Sequence, residues 1–198
     1  MPDTPKPPPR VVVFAGPNGA GKSTHADAIL EALGIETFVN ADYIAKGLSG
    51  QHPERVALAA GRIMLTRLKD LSNNGEDFAF ESTLSSRSFA PFLRHLKISG
   101  YQVAIYYFSL SSASLAIRRV KLRVALGGHS VPAEVVRRRF KRSLDNFFQL
   151  YQPIANDWAM FDNSHAGHAE LIAEQTGHKL KVFKERTWQK LQKLNNAH

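Results

Sequence analysis

The 198-residue sequence contains no cysteine, and no apolar run in it approaches the length of a membrane-spanning helix, about 20 residues. The absence of cysteine excludes disulfide bonds, thiol nucleophiles and zinc–thiolate sites. The N-terminal segment MPDTPKPPPR also lacks the apolar stretch of a signal peptide. From these features we expect a cytoplasmic protein that does not bind a membrane.

Acidic residues are few: the chain has 17 against 26 basic ones, and its net charge is +9. The basic residues are concentrated between residues 118 and 142, where Glu134 is the single acidic residue. The concentration predicts an anionic ligand that is rich in phosphate. The basic residues of this segment are Arg118, Arg119, Lys121, Arg123, Arg137, Arg138, Arg139, Lys141 and Arg142.

The composition and the order of the predicted elements indicate one α/β domain. Hydrophobic residues make up 43% of the chain and charged residues 22%, values typical of globular proteins. Residues 1–9 contain five prolines and are predicted to form a flexible tail. Residues 10–198 alternate strands with helices, which predicts a doubly wound parallel sheet with helices on both faces. The predicted strands are Val11–Ala15 and the segments ETFVNAD, DFAFEST, YQVAIYYFSL and WAMFD; the main predicted helices are Lys22–Leu33, HPERVALAAGRIMLTRLKDLSNNG, Ser88–Ile98, about Ser112–Leu126, about Pro132–Leu150 and KERTWQKLQKL.

A phosphate-binding loop lies between the first predicted strand and the first helix, which is the context that makes this motif specific. Its glycines allow backbone N–H groups to surround phosphates, and the start of the helix adds positive potential. We expect Lys22 to reach the terminal phosphates of ATP and the Ser23 hydroxyl to bind Mg²⁺. The nucleotide-binding residues predicted from the motif are Gly16, Pro17, Asn18, Gly19, Ala20, Gly21, Lys22, Ser23 and Thr24.

The same loop occurs in ABC transporter ATPases and in small kinases, and the rest of the chain favours a kinase. An ABC ATPase needs a Leu-Ser-Gly-Gly-Gln signature far downstream, followed by a strand that ends in Asp-Glu. Here LSGQ occurs at Leu48–Gln51, too early and one glycine short, and no predicted strand ends in Asp-Glu. The predicted fold is therefore a kinase-like P-loop NTPase.

Two carboxylates follow predicted strands, where the catalytic groups of this architecture gather. A kinase needs a carboxylate that orients the acceptor hydroxyl or accepts its proton. Asp42 is predicted to be this base, with the N-cap of a short helix as the alternative. Glu81 follows an apolar strand, so a hydroxyl-bearing substrate or a basic side chain should face it. Thr83 could bind substrate or cap a helix.

Arg119 and Arg123 are four residues apart and share one face of the first basic helix. Guanidinium groups match phosphate oxygens, and the segment GGHSVP joins the two basic helices through two glycines. We therefore predict a lid over ATP, from about residue 112 to 150, that brings both arginines to the phosphates. A solvated basic face is the alternative, and His129 in the hinge is not expected to contact phosphate.

The apolar residues of the two basic helices recur at helical spacing and are predicted to face the core. The aromatic residues belong to this stripe, so we do not expect them to stack on nucleobases, and no nucleic-acid partner is expected. The segment DNS, residues 162–164, is either a turn or part of the nucleotide rim. The predicted core stripe comprises Ile117, Val120, Val124, Val136, Phe140, Leu144, Phe147 and Tyr151.

Taken in order, the segments GPNGAGKST, NAD, FAFESTLSSRS, RVKLRVALGGHSVP, RRRFKRSL and FDNS resemble the zeta toxin family of P-loop kinases, in its chromosomal bacterial branch. The resemblance covers about residues 10 to 165. It implies ATP-dependent phosphorylation of a sugar hydroxyl on UDP-N-acetylglucosamine, and an antitoxin as a protein partner. By motif it implies that Lys22 and Ser23 hold ATP and Mg²⁺, that Asp42 is the base, that Glu81 and Thr83 face the substrate, and that lid arginines clamp the phosphates.

The segment ESTLSS differs from the plasmid-borne toxins of that family, so other acceptors stay open. These are another small molecule or the 5′-hydroxyl of a nucleic acid. A nucleotide switch without catalysis is a third class, which two strand-end carboxylates and a lid do not favour.

Overall fold

The computed structural model describes residues 7–50, 52–128, 130–165 and 167–196. Most of the predicted proline-rich tail and His129 lie outside these ranges. The strands are β1 (Arg10–Ala15), β2 (Phe38–Val39), β3 (Phe78–Ser82), β4 (Gln102–Ser109), β5 (Asp157–Asp162), β6 (Glu170–Thr176) and β7 (Lys179–Val182). The helices are α1 (Lys22–Leu33), α2 (Ala41–Leu48), α3 (Ala57–Asn73), α4 (Phe89–Ile98), α5 (Ala113–Ala125), α6 (Ala133–Asn146) and α7 (Glu185–Asn196), with a 3₁₀ turn at Pro53–Val56 and a π-helical turn at Phe147–Tyr151.

The strands form one seven-stranded sheet in the order β2-β3-β1-β4-β5-β6-β7. Strands β1 to β5 are parallel, as the alternation of strands and helices predicts. Strand β1 is the middle one of the five parallel strands, and its run from Val11 to Ala15 is buried on both faces. The carboxyl ends of β1, β3 and β4 therefore meet at one edge of the sheet.

Strands β6 and β7 are antiparallel and extend the sheet beyond β5. The sequence analysis did not predict them. Strand β7 is mostly exposed, so its sequence KLKV lacks the apolar run of a buried strand. The two strands pair up to Thr176 and Lys179, with Gly177 at φ +57° in the tight turn between them.

Helices cover both faces of the sheet, as predicted, and produce two apolar clusters. One cluster includes residues of α3, α4 and α7 and the C-terminal part of α6, and the other includes residues of α1 and α5 with Val136 of α6. The two basic helices are thus anchored in the core. The prediction for Val124 is wrong: its side chain is 38% exposed, because the buried stripe of α5 ends at Val120.

Within the described ranges, no helix is both long enough and apolar enough to cross a membrane.

Candidate functional site

The phosphate-binding loop connects β1 to α1 at the edge where the parallel strands end. A Cβ atom on Gly16 would lie 2.2 Å from the Phe108 carbonyl oxygen, and its φ of +133° is one that L residues rarely adopt. Helix α1 begins directly after Gly21, an N-cap that has no side chain to bind the first backbone N–H groups. These N–H groups are free to bind an anion.

Lys22 and Ser23 both contact the carboxylate of Glu81, which lies near the end of β3. The Lys22 Nζ lies 3.4 Å from Glu81 Oε1, with the two side chains 5% and 15% exposed. The Lys22 ammonium also donates a hydrogen bond to the Pro17 carbonyl at 3.1 Å, and the Ser23 hydroxyl donates to Glu81 Oε2 at 2.5 Å. The sequence analysis required a basic group or a hydroxyl-bearing substrate at Glu81, and in the structure Lys22 is that basic group.

Asn40 was not predicted to be part of the site, yet it connects Glu81 to the start of α2. Its side-chain Nδ2 donates to Glu81 Oε2 at 2.9 Å, and its Oδ1 accepts the backbone N–H of Asp42 at 2.8 Å. Asn40 is therefore the N-cap of α2. The alternative interpretation of Asp42 as the cap is wrong, because Asp42 lies inside the first turn and its own N–H is the capped group.

The carboxylate of Asp42 does not cap α2 and extends toward α5. Its side chain is 52% exposed, and Oδ2 lies 3.7 Å from Nη1 of Arg123. Negative charge from Asp42 and Glu81 reaches the neighbouring Tyr43, whose pKa is raised first by burial and then by Asp27, Glu81 and Asp42. Asp42, the predicted base, and Glu81, the predicted substrate contact, thus lie in the same region of the site and are connected through Asn40.

Arg119 and Arg123 both line the cleft but make different contacts. Arg119 Nη1 donates to the Asn163 carbonyl at 2.7 Å and to the Gly19 carbonyl at 3.5 Å, and its Nη2 donates to the Ser164 carbonyl at 3.3 Å. Arg119 therefore connects α5 to the phosphate loop and to the turn after β5, whereas Arg123 faces Asp42.

Arg139 is a third arginine at the site, which the sequence analysis placed in the basic cluster without a specific role. Its Nη1 donates to Asn18 Oδ1 of the phosphate loop at 3.5 Å. Burial lowers its pKa, while the charge of Asp42 raises it and Arg138 lowers it further. The sequence did not single out Arg139 from its basic neighbours; in the structure it shares a helix face with Val136 and Ser143, whose side chains are buried.

Thr83 lies in a strained turn between β3 and α4. Its hydroxyl is hydrogen-bonded to that of Ser85 at 2.8 Å. The intervening Leu84 is fully buried at φ +50°, and its carbonyl accepts Nδ2 of Asn146 at 2.8 Å. Helix α4 begins at Phe89, so Thr83 does not cap it. The turn is held from the C-terminal end of α6, a contact that the sequence did not indicate.

A cleft of about 510 Å³ lies above the loop, a volume that suits a small ligand. Its lining includes Lys22, Ser23, Glu81, Arg119, Arg123 and Asn163. The glycine cradle, the buried ammonium and the uncapped helix start fit a nucleotide phosphate chain. The Ser23 hydroxyl and the Glu81 carboxylate supply the oxygen ligands that Mg²⁺ prefers.

Solved structures with the same fold include the complex of AvrRxo1-ORF1 with AvrRxo1-ORF2, determined with sulphate ions (TM-score 0.76, 16% identity) and with ATP (TM-score 0.75, 17% identity). The matches cover 92% and 93% of this chain, which spans 63% and 64% of the length of the chains it matches. The PezAT chromosomal toxin–antitoxin system of Streptococcus pneumoniae matches with a TM-score of 0.60 at 15% identity, over 98% of this chain and 88% of that one. These likenesses show that the chain shares the fold of these proteins.

In sequence, the chain is 28% identical over 131 residues to an uncharacterized protein of Haemophilus influenzae, which covers 66% of this chain and 92% of that protein. The AAA_33 family, described as an AAA domain, matches residues 11–150, from β1 to the π-helical turn after α6. The matched stretch contains the phosphate loop, both strand-end carboxylates and both basic helices. The chain therefore belongs to the AAA_33 family of AAA domains.

Proposed function

We propose that this protein is an ATP-dependent kinase that transfers the γ-phosphoryl group of ATP to a sugar hydroxyl of a nucleotide sugar, with UDP-N-acetylglucosamine as the acceptor. One observation carries the proposal of phosphoryl transfer. The phosphate loop, the Glu81 carboxylate on Lys22 and Ser23, and the Asp42 carboxylate beside Arg123 converge on one side of the sheet. The choice of acceptor follows from the resemblance to the zeta toxin family.

On the nucleotide side, the loop N–H groups and Lys22 bind the phosphates. Ser23 and Glu81 would hold Mg²⁺, which supplies positive charge to the phosphate oxygens. Since Glu81 also accepts a hydrogen bond from Asn40, its carboxylate is held on two sides before ligand binds. Such preorganisation lowers the cost of arranging the site during transfer.

On the acceptor side, Asp42 orients the hydroxyl and accepts its proton as the oxygen attacks the γ-phosphorus; the bond from this phosphorus to the bridging oxygen breaks, and ADP leaves. A half-exposed carboxylate at the start of a helix can reach a ligand without breaking the cap, because Asn40 supplies that cap. Thr83, in the turn after Glu81, is proposed as an acceptor contact, and Glu81 lies at the boundary between phosphates and acceptor. Positive charge from Arg123 and Arg139 stabilises the transferring group.

We also propose an antitoxin as a protein partner. The support is the resemblance to zeta toxins together with the neighbouring PezAT structure, which belongs to a toxin–antitoxin system.

The acceptor is tested with γ-labelled ATP and Mg²⁺ against UDP-N-acetylglucosamine, other nucleotide sugars, free amino sugars and 5′-hydroxyl oligonucleotides. We expect label on UDP-N-acetylglucosamine and none on DNA or RNA. A reaction without acceptor measures hydrolysis, and the Asp42→Asn variant controls for a contaminating kinase.

Label on an oligonucleotide alone, with affinity that falls steeply as salt rises, would instead indicate a nucleic-acid kinase. Hydrolysis without a labelled acceptor would favour a nucleotide switch.

Neutralising Arg123, which lies next to Asp42, or Arg139, which lies next to Asn18, is expected to slow phosphoryl transfer more than it weakens ATP binding. The reason is that charge on the moving phosphoryl group develops beside Arg123 and Arg139, whereas ground-state charge is shared with Lys22 and Mg²⁺. We expect the rate constant of Arg123→Gln to fall about 10-fold or more, the scale of a lost charge-assisted hydrogen bond. Single-turnover kinetics and calorimetry measure the two effects in Arg123→Gln and Arg139→Gln.

The exposed neighbour Arg138 supplies the matched control, Arg138→Gln, which should behave as wild type. Equal losses of rate and affinity in the first two variants would make Arg123 and Arg139 ordinary binding residues.

A further inference from the structure

The turn Asp162–Asn163–Ser164 connects the end of β5 to the phosphate loop. Asn163 is 8% exposed. Its backbone N–H donates to the Ser109 carbonyl of β4 at 3.0 Å, and its side-chain Nδ2 donates to the Ala20 carbonyl at 2.8 Å. A single buried residue thus contacts both the neighbouring strand end and the middle of the loop.

The same turn receives the guanidinium group of Arg119. The Asn163 and Ser164 carbonyls accept its hydrogen bonds, and the Ser164 hydroxyl accepts the backbone N–H of Ser111 at 2.7 Å. Asp162 Oδ1 in turn accepts the Ser164 N–H at 2.9 Å. The turn is therefore held by contacts with α5, with Ser111 and within the turn itself.

Asn163 also lies very close to Gly21, the residue before Lys22. A Cβ atom on Gly21 would be 2.4 Å from Asn163 Nδ2, and the φ of Gly21 is +80°. The peptide between Ala20 and Gly21 is trans, so its carbonyl and its N–H point in opposite directions. Because Asn163 holds this carbonyl on one side, the Gly21 N–H is turned to the other side.

We propose that Asn163 is a positioning residue for nucleotide binding, which acts by fixing the peptide between Ala20 and Gly21 so that its N–H is available to the phosphates. The proposal rests on the nucleotide binding in the proposed function and not on the acceptor. It also answers the question left open for DNS, since the segment is a turn whose central residue lines the cleft. Without the amide, the peptide could rotate and leave a phosphate oxygen without its donor.

The test is Asn163→Ala, with two probes measured by calorimetry in Mg²⁺: ATP and inorganic tripolyphosphate. If Asn163 orients the loop, its loss should weaken the binding of both probes by a similar factor, about 10-fold, as for a lost buried hydrogen bond. If Asn163 instead contacts the base, its loss would weaken the binding of ATP and leave the affinity for tripolyphosphate unchanged. Asn163→Asp keeps the shape of the side chain but places a carboxylate against the Ala20 carbonyl. The affinity of this variant for both probes should fall at least as far as that of Asn163→Ala.

Asn156 provides the matched control: it directly precedes β5, whereas Asn163 directly follows it. Its Oδ1 accepts the Val103 N–H at 2.9 Å and its own N–H donates to the Val103 carbonyl at 2.8 Å, far from the loop. Asn156→Ala should lower the melting temperature without changing either affinity. The proposal is overturned if Asn163→Ala binds both probes as wild type does, or loses ATP alone. Failure of the wild-type protein to bind ATP would overturn the proposed function itself.

Discussion

Lys22→Ala is expected to lose ATP binding by about 1,000-fold, below the range that calorimetry measures at ordinary protein concentrations. Lys22 is buried and paired with Glu81, so its removal takes away a phosphate ligand and leaves a carboxylate without its cation. Truncating one member of such a pair costs about 2–5 kcal/mol, and the charge of Glu81, no longer compensated by Lys22, then repels the incoming phosphates. Calorimetry with Mg-ATP should therefore record binding heat for the wild type and none for the variant.

Because Glu81 is also proposed to hold Mg²⁺, the double variant Lys22→Ala, Glu81→Gln separates these two causes when ATP binding is measured without Mg²⁺. If repulsion by Glu81 contributes, the double variant recovers part of the affinity that the single variant loses. Lys69→Ala, an exposed lysine on α3, is the control and should bind ATP as wild type does. An unchanged ATP affinity in Lys22→Ala would contradict the proposed role of the loop.

Asp42→Asn is expected to slow phosphoryl transfer by about 100-fold or more while ATP affinity is retained, the usual scale for a positioned acid or base. The substitution preserves the size of the side chain and removes its charge. Helix α2 should keep its start because the cap is the Asn40 side chain. Single-turnover transfer to the acceptor, together with calorimetry for ATP, measures the two effects.

Asp70→Asn, on an exposed position of α3, controls for the loss of one negative charge. Near wild-type transfer by Asp42→Asn would leave Asp42 only the ion pair with Arg123, whose loss at an exposed site costs about 0–1 kcal/mol of stability. A fall in ATP affinity that matches the fall in rate would indicate a binding role instead.

Much of the fold was predictable because its signals are local. The run from Val11 to Ala15 has no polar residue to mark an exposed face, which is typical of a central parallel strand. The helix after the loop has the predicted bounds, Lys22–Leu33, because its start is set by the motif and its end by Gly34 at φ +65°. Strand β7 escaped prediction because it is mostly exposed and spans four residues, so its alternation of lysine with leucine and valine is too short to stand out.

Sequence by itself determined the phosphate loop, the parallel strands of the sheet, and the two carboxylates at the carboxyl ends of β2 and β3. These features depend on neighbouring residues and on the periodicity of the chain. Only the tertiary structure decided which groups those carboxylates meet, which arginine of the basic cluster faces Asn18, and what Asn163 holds. Arg139 and Asn18 are 121 residues apart, and Asn163 and Ala20 are 143 apart. Contacts over such separations depend on how helices and strand ends pack across the sheet, which no local pattern specifies.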